Sequence, residues 1–196
     1  MKKVRIDLPA DPALVADLDM GDEVRLFGKI VTGRDAAHKY LVEERPDDLR
    51  QLLKGTFIYH CGPVVKQTDG GWEVVAAGPT TSIREEPYQA TVLEEYGLAG
   101  AMGKGGMGGK TLAGLDKTGS VYLHAVGGVA ALLAKRIVKV VDVLKLEEFG
   151  TPEAFWVLEV EDFPALVTMD SKGNSLHEAV RERSAAALAD LVSSEQ

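Results

Sequence analysis

Leu98-Ala99-Gly100-Ala101-Met102-Gly103-Lys104-Gly105-Gly106-Met107 runs from a short apolar stretch straight into a glycine-rich turn that carries one lysine. An apolar run this short, bounded by glycine, reads as a buried strand and not as a helix. The same succession occurs upstream. Val24-Arg25-Leu26-Phe27-Gly28-Lys29-Ile30-Val31 alternates apolar and polar residues, enters Gly33-Arg34-Asp35-Ala36-Ala37-His38, and gives way to helical spacing from Ala36 to Glu44. Trp72-Glu73-Val74-Val75-Ala76-Ala77 reads as a strand, enters Gly78-Pro79-Thr80-Thr81-Ser82-Ile83-Arg84, and is followed by helical spacing from Pro87 to Tyr96. Strand, glycine-rich turn and helix in repeated order mark an α/β fold, and open folds of this class place ligands at strand ends.

Outward from these units, Val4, Ile6 and Leu8 alternate as a first strand, and Asp47 to Leu53 reads as helical up to the stop at Gly55. Thr56 to Cys61 and Ser120 to Ala125 read as strands, and Gly127-Gly128 opens a helix through Lys135. Phe155 to Val160 and Ala165 to Met169 read as two late strands, and Ser175 to Val192 as a closing amphipathic helix. No linker or repeat interrupts the chain, so residues 1–196 are expected to form one domain.

Composition narrows the class of function. A hydrophobic fraction of 45% supports a real core, and a net charge of -8 argues against a nucleic-acid surface, which needs clustered Lys and Arg. No stretch has the length of a membrane helix and the start lacks a signal-peptide pattern, so a cytoplasmic protein is expected, with neither membrane nor nucleic acid as partner. The lone cysteine, Cys61, excludes an internal disulfide and reads as a small buried hydrophobe. One thiol cannot hold an iron-sulfur cluster, and His38, His60, His124 and His177 lack metal-ligand spacing, so no metal is expected on this chain alone.

In so acidic a chain, three cations in glycine settings ask for a reason. Arg34, Arg84 and Lys104 read as an anion site for a small dianion, with glycine letting backbone and ligand come close. Thr80 and Arg84, four residues apart, would share a face if a helix begins there, offering a hydroxyl beside a guanidinium; Thr81 and Gly105 neighbour that site, and His38 follows Arg34 by one turn. The plain structural reading of the same residues is N-capping hydroxyls and an Arg34-Asp35 surface pair of little energetic weight. Lys104 to Thr111 also invites comparison with a phosphate-binding loop, but its glycine spacing departs from that pattern. A nucleotide-binding protein is therefore the alternative from another class, and a non-catalytic scaffold domain a third.

Taken in order, Gly-Arg-Asp-Ala-Ala-His, Tyr59-x-Cys61-Gly62-Pro63, Gly-Pro-Thr-Thr-Ser-x-Arg, Gly-Lys-Gly-Gly-Met, Phe163-Pro164-Ala165-Leu166-Val167 and Asp170-Ser171-Lys172-Gly173-Asn174 resemble the beta subunit of class I fumarate hydratases, from Asp19 to about His177. L(+)-tartrate dehydratase beta subunits share the pattern. The resemblance implies a swivelling β/β/α fold and a reversible hydro-lyase whose separate alpha subunit carries a [4Fe-4S] cluster. It implies a hetero-oligomer, with a homodimer through this chain as a further option. Arg34, Arg84 and Lys104 would then grip a dicarboxylate and Thr80 would take part in moving the proton on carbon. One departure stands out: the family usually has methionine after the arginine matched by Arg84, and this chain has Glu85, which is expected to point outward because an inward carboxylate would oppose a dianion.

Overall fold

The pattern of alternation in the second strand and of unbroken burial in the short ones decides the architecture. The computed structural model describes residues 1–194. The chain begins with β1 (Lys3–Asp7), α1 (Pro12–Ala16), β2 (Glu23–Thr32), α2 (Asp35–Glu43), α3 (Asp48–Leu53) and β3 (Phe57–Tyr59). A hairpin of β4 (Val64–Thr68) and β5 (Gly71–Ala76) follows, then a 3-10 turn (Ser82–Glu85), α4 (Gln89–Tyr96), β6 (Gly100–Gly103), α5 (Gly109–Thr118) and β7 (Val121–His124). The remainder is α6 (Ala130–Ala134), β8 (Ile137–Leu144), α7 (Leu146–Phe149), β9 (Phe155–Met169) and α8 (Leu176–Ser194).

β2, β3, β6 and β7 lie side by side and parallel. β9 runs antiparallel to β7 and, at the same time, to β2, so the five strands close into a barrel where an open sheet was expected. Closure depends on the 15-residue length of β9. The sequence reads two strands there because Asp162 and Pro164 interrupt the apolar run; the chain instead bends at Asp162, whose φ is 54°, and continues. β1 extends the sheet from β2, and β8 pairs with β9 on the other side.

Because strand side chains alternate, each central strand feeds two cores. Phe57 and Tyr59 pack with Leu26, Ile30, Met102, Leu123, Trp156 and Phe163. Ile58, Ala101 and Tyr122 face the other way, against Leu41, Leu49, Val92, Leu93 and Leu115 of the helical layer. A mixed α/β molecule with layered sheet and helices results.

Several elements depart from the sequence expectation. The hairpin β4–β5 forms its own two-stranded sheet, so the strand before Thr80 is not part of the barrel. α5 and β8 were not anticipated. α8 was expected to be amphipathic, yet Val180, Leu188 and Val192 on it are 45%, 62% and 56% exposed, so these three face solvent. Among the described residues no helix is long and apolar enough to cross a membrane.

Candidate functional site

Parallel strands end on one side, so the segments that follow β2, β3 and β6 collect there: Gly33 to His38, His60 to Pro63, and Lys104 to Met107. The fourth segment, Gly78 to Arg84, arrives from the hairpin and is stitched across them. His60 O accepts from Thr80 N at 2.7 Å, Thr80 O from Lys104 N at 3.2 Å, and Lys104 O from Ser82 N at 3.0 Å. These bonds tie the second and third glycine motifs together, and Gly33 N, donating to Tyr59 O at 2.9 Å, holds the first at the same end of the barrel. The roles given to the glycines themselves need correction. A Cβ on Gly33 would lie 2.7 Å from Ile58, and one on Gly103 would lie 2.0 Å from Ser82 Oγ. These glycines make room for protein neighbours, whereas Gly105, at φ +81° with open space beside it, keeps the conformational freedom expected of a ligand-side turn.

The charged side chains pair differently from the sequence expectation. Asp35 does not pair with Arg34; its carboxylate meets Arg84 Nη2 at 2.6 Å. Arg34 Nη2 lies 3.3 Å from Glu153, whose other oxygen accepts from Ala36 N at 3.0 Å at the start of α2. Each guanidinium is thus held by one carboxylate and retains further N–H donors, while Lys104 has no ion pair among the described residues. Nothing in the sequence signals Glu153, which lies far along the chain.

Thr80 and Arg84 do not share a helical face. The turn at Ser82–Glu85 is 3-10, in which residues three apart eclipse, so Ser82 and Glu85 face inward together while Ile83 and Arg84 face out. Thr80 precedes it and donates its hydroxyl to His60 O at 3.0 Å; Thr81 is exposed and caps nothing through its side chain. The expectation that Glu85 points outward is overturned by the same geometry. Glu85 is 1% exposed, its Oε2 has no hydrogen-bond partner among the described residues, and it lies 3.7 Å from His38 Nδ1. Desolvation first, then repulsion from Asp35 and Glu153, pushes its carboxyl up to about 8, with Arg84 and Arg34 opposing.

Beneath the site runs a buried polar chain. His38 Nδ1 is 2.9 Å from Arg34 O, and its Nε2 is 3.0 Å from the Gln89 side-chain amide. His60 Nε2 meets the same amide end at 2.8 Å and its Nδ1 meets Ser82 Oγ at 2.8 Å, where Tyr122 also donates its hydroxyl at 2.8 Å. Burial lowers His38, and burial plus the neighbouring ring lowers His60 to about 3, so both imidazoles are neutral. His38 therefore supports Arg34 from behind. Sequence reasoning missed Gln89, Ser82 and the role of His60; Ser82 and His60 lay within quoted motifs and Gln89 did not.

The phosphate-loop comparison fails on geometry as well as spacing. The amides at the start of α5 already serve a carboxylate: Glu86 accepts from Gly108 N at 2.7 Å, Lys110 N at 3.0 Å, Thr111 N at 3.2 Å and Thr111 Oγ1 at 2.7 Å. Cys61 is buried, and desolvation raises its thiol to about 12, which fits packing and not metal ligation. Among the described residues no cluster of three His, Cys, Asp or Glu could hold a metal ion.

The sequence profile of the fumarase C-terminus matches residues 1–180. The chain belongs to that family. A provisionally named class I fumarate hydratase of Geobacillus stearothermophilus is 52% identical over 183 residues, covering 92% of this chain and 35% of that protein. The chain thus spans about a third of that relative's length. The L(+)-tartrate dehydratase subunit beta of Escherichia coli strain K12 is 36% identical over 178 residues, 90% of this chain and 87% of the relative. A provisionally named L(+)-tartrate dehydratase subunit beta of Methanocaldococcus jannaschii is 42% identical over 172 residues, with 86% and 88% covered. In this fumarase C-terminus chain, the three glycine motifs gather at one barrel end, whereas Asp170, accepting from Met20 N at 3.1 Å, lies by the loop before β2.

Proposed function

We propose that this chain is the beta subunit of an iron-sulfur hydro-lyase that interconverts fumarate and malate in the cytoplasm, as a hetero-oligomer with an alpha subunit. The observation that carries the reading is the convergence of Arg34, Thr80, Arg84 and Lys104 on one barrel end, on segments tied by the Thr80 and Lys104 backbone bonds. The reading takes the barrel as a swivelling β/β/α domain and residues 1–196 as one unit.

The residues of this chain do not fit a [4Fe-4S] cluster, since the single cysteine is buried and protonated. In this reading the cluster belongs to the alpha subunit and would supply Lewis-acid assistance to departure of the hydroxyl. The work left to this chain is binding and orientation. The N–H groups that Arg34 and Arg84 leave unused beside Glu153 and Asp35 can take carboxylate oxygens in planar, charge-assisted pairs. Lys104 Nζ adds a point charge. The Thr80 hydroxyl donates to His60 O, and in this reading it is the group that faces the carbon gaining or losing a proton. A carbonyl orients a hydroxyl without being a base, so the proton's acceptor lies with the substrate, water or partner.

The test is steady-state fumarate hydration by enzyme reconstituted with its alpha subunit. Arg84→Lys keeps the charge but loses the fork; Arg84 is 56% exposed in this chain, so kcat/KM should fall by roughly 2 to 5 kcal/mol of transition-state binding where the alpha subunit buries the pair. Near-normal turnover by that variant would remove Arg84 from the clamp. Dehydration of L(+)-tartrate is the second reading, favoured by the near-complete coverage of the two separate beta subunits. The ratio of kcat/KM for malate and L(+)-tartrate decides between them.

A further inference from the structure

Hydrogen-bond chemistry fixes the protons of the buried chain more tightly than the heavy-atom positions do. The Arg34 carbonyl can only accept, so His38 Nδ1, at 2.9 Å, must carry a proton. A neutral imidazole then has a bare Nε2, which needs a donor. The group facing it at 3.0 Å is an end of the Gln89 side-chain amide, and the same end faces His60 Nε2 at 2.8 Å. With the amide oxygen turned to both rings, His38 Nε2 would meet a second acceptor and the Gln89 NH2 would be left buried without a partner, as Nε2 is in that orientation. The two ends of the amide are nearly isosteric, so turning it over costs no packing; it leaves the amide oxygen in the unpartnered position, in exchange for donors to both rings. The NH2 then donates one proton to each imidazole, and His60, bonded at Nε2, turns its own Nδ1–H to Ser82 Oγ at 2.8 Å.

From this we infer that Gln89 is a positioning residue of the site: its side-chain NH2 bridges His38 and His60 and locks both as neutral Nδ1–H tautomers, one holding the Arg34 carbonyl and the other Ser82. The inference rests on the function proposed for Arg34 and Thr80. Arg34 is gripped through its backbone on one side and by Glu153 on the other. Thr80 is aimed by the His60 carbonyl, and the His60 ring is fixed between Gln89 and Ser82. Among the described residues Gln89 is the side chain hydrogen-bonded to both rings, so it sets the spacing between a carboxylate-binding residue and the proton-moving hydroxyl. All three residues at its centre are fully buried, and the rings meet edge to face with centroids 5.1 Å apart. Of the charged groups, Glu85 lies 3.7 Å from His38 Nδ1 and the Asp35 carboxylate acts on the same ring.

Long-range proton–nitrogen spectra of the histidine-labelled full chain test the tautomers without any partner or substrate. The expected result is that two imidazoles are neutral with the proton on Nδ1, and that Gln89→Glu, which has at most one donor for two rings, moves the proton of at least one ring to Nε2 or protonates it. Wild-type rings protonated on Nε2, or on both nitrogens, would overturn the bridge. In reconstituted enzyme Gln89→Glu and the similarly sized Gln89→Met should each lower kcat/KM by about ten- to a hundredfold, as small displacements of reacting groups do. Shifted tautomers with full turnover would defeat the positioning role while leaving the function intact. Absence of fumarate or tartrate turnover in wild type would defeat the function, and the spectra would still report on the bridge.

Discussion

Thr111 donates both its backbone amide, at 3.2 Å, and its hydroxyl, at 2.7 Å, to the carboxylate of Glu86. The partial positive charge at the start of α5, which could attract a phosphate, is thereby neutralised from within the chain. Glu86 directly follows the turn that carries Arg84, so the bond also fastens that turn to the loop leading from Lys104. Magnesium-ATP is expected to show no calorimetric binding at micromolar concentrations. Glu86→Ala leaves those amides unpaired and should cost about 1 to 2 kcal/mol, as loss of a helix cap does, measured by urea unfolding. Submicromolar ATP binding, or an unchanged midpoint in Glu86→Ala, would count against this account.

Glu85 makes stability depend on pH in a specific direction. Its carboxyl rises from 4.5 to about 8 on folding. Between those values the folded chain holds a proton that the unfolded chain releases, so stability is full at low pH and falls as pH rises through the folded value. Glu85→Gln cannot ionise. It should match wild type near about pH 5 and unfold at a higher temperature near about pH 9, where the wild-type carboxylate is charged and unpaired. Thermal unfolding at the two pH values checks this; parallel curves would mean that Glu85 is not held protonated.

Gly103 sits where β6 meets the segment before Arg84. A methyl there would fall 2.0 Å from Ser82 Oγ and 3.1 Å from the His60 ring. Gly103→Ala must push apart the segments that carry Thr80 and Lys104. Overpacking of this kind costs roughly 1 to 3 kcal/mol. The expected outcome is lowered stability together with a larger loss of reconstituted activity than Gly109→Ala gives, since a Cβ at Gly109 meets only open space and needs no left-handed backbone.

What could be read from sequence follows the range of the interactions. Strand and helix periods are local, so β2, α2, β3, α4 and β6 were legible, and so was the gathering of Arg34, Thr80, Arg84 and Lys104 once their motifs were seen in order. Barrel closure was not, because it depends on β9 pairing with β2 across residues that look like a break at Asp162 and Pro164. The Arg34–Glu153 pair and the Gln89 bridge join residues far apart in sequence, and no spacing announces them. Glu85 was misjudged for a different reason: an inward carboxylate was taken to oppose a dianion, whereas the 3-10 turn buries the group and desolvation pushes its carboxyl up to about 8.

Thr80 gives the sharpest separation between a structural and a chemical role. Its hydroxyl makes one hydrogen bond among the described residues, to the His60 carbonyl, and the side chain is half-buried, so removing it costs the fold only about 1 kcal/mol. Thr80→Val keeps the shape and removes the hydroxyl. If that oxygen moves the proton, turnover in the reconstituted enzyme should drop by about 100- to 10,000-fold with KM little changed, because binding is left to Arg34, Arg84 and Lys104. Thr80→Ser retains the oxygen on a freer rotor and should recover most of the activity. A Thr80→Val enzyme with ordinary turnover would assign the proton to another group and leave Thr80 as part of the stitching between β3 and β6.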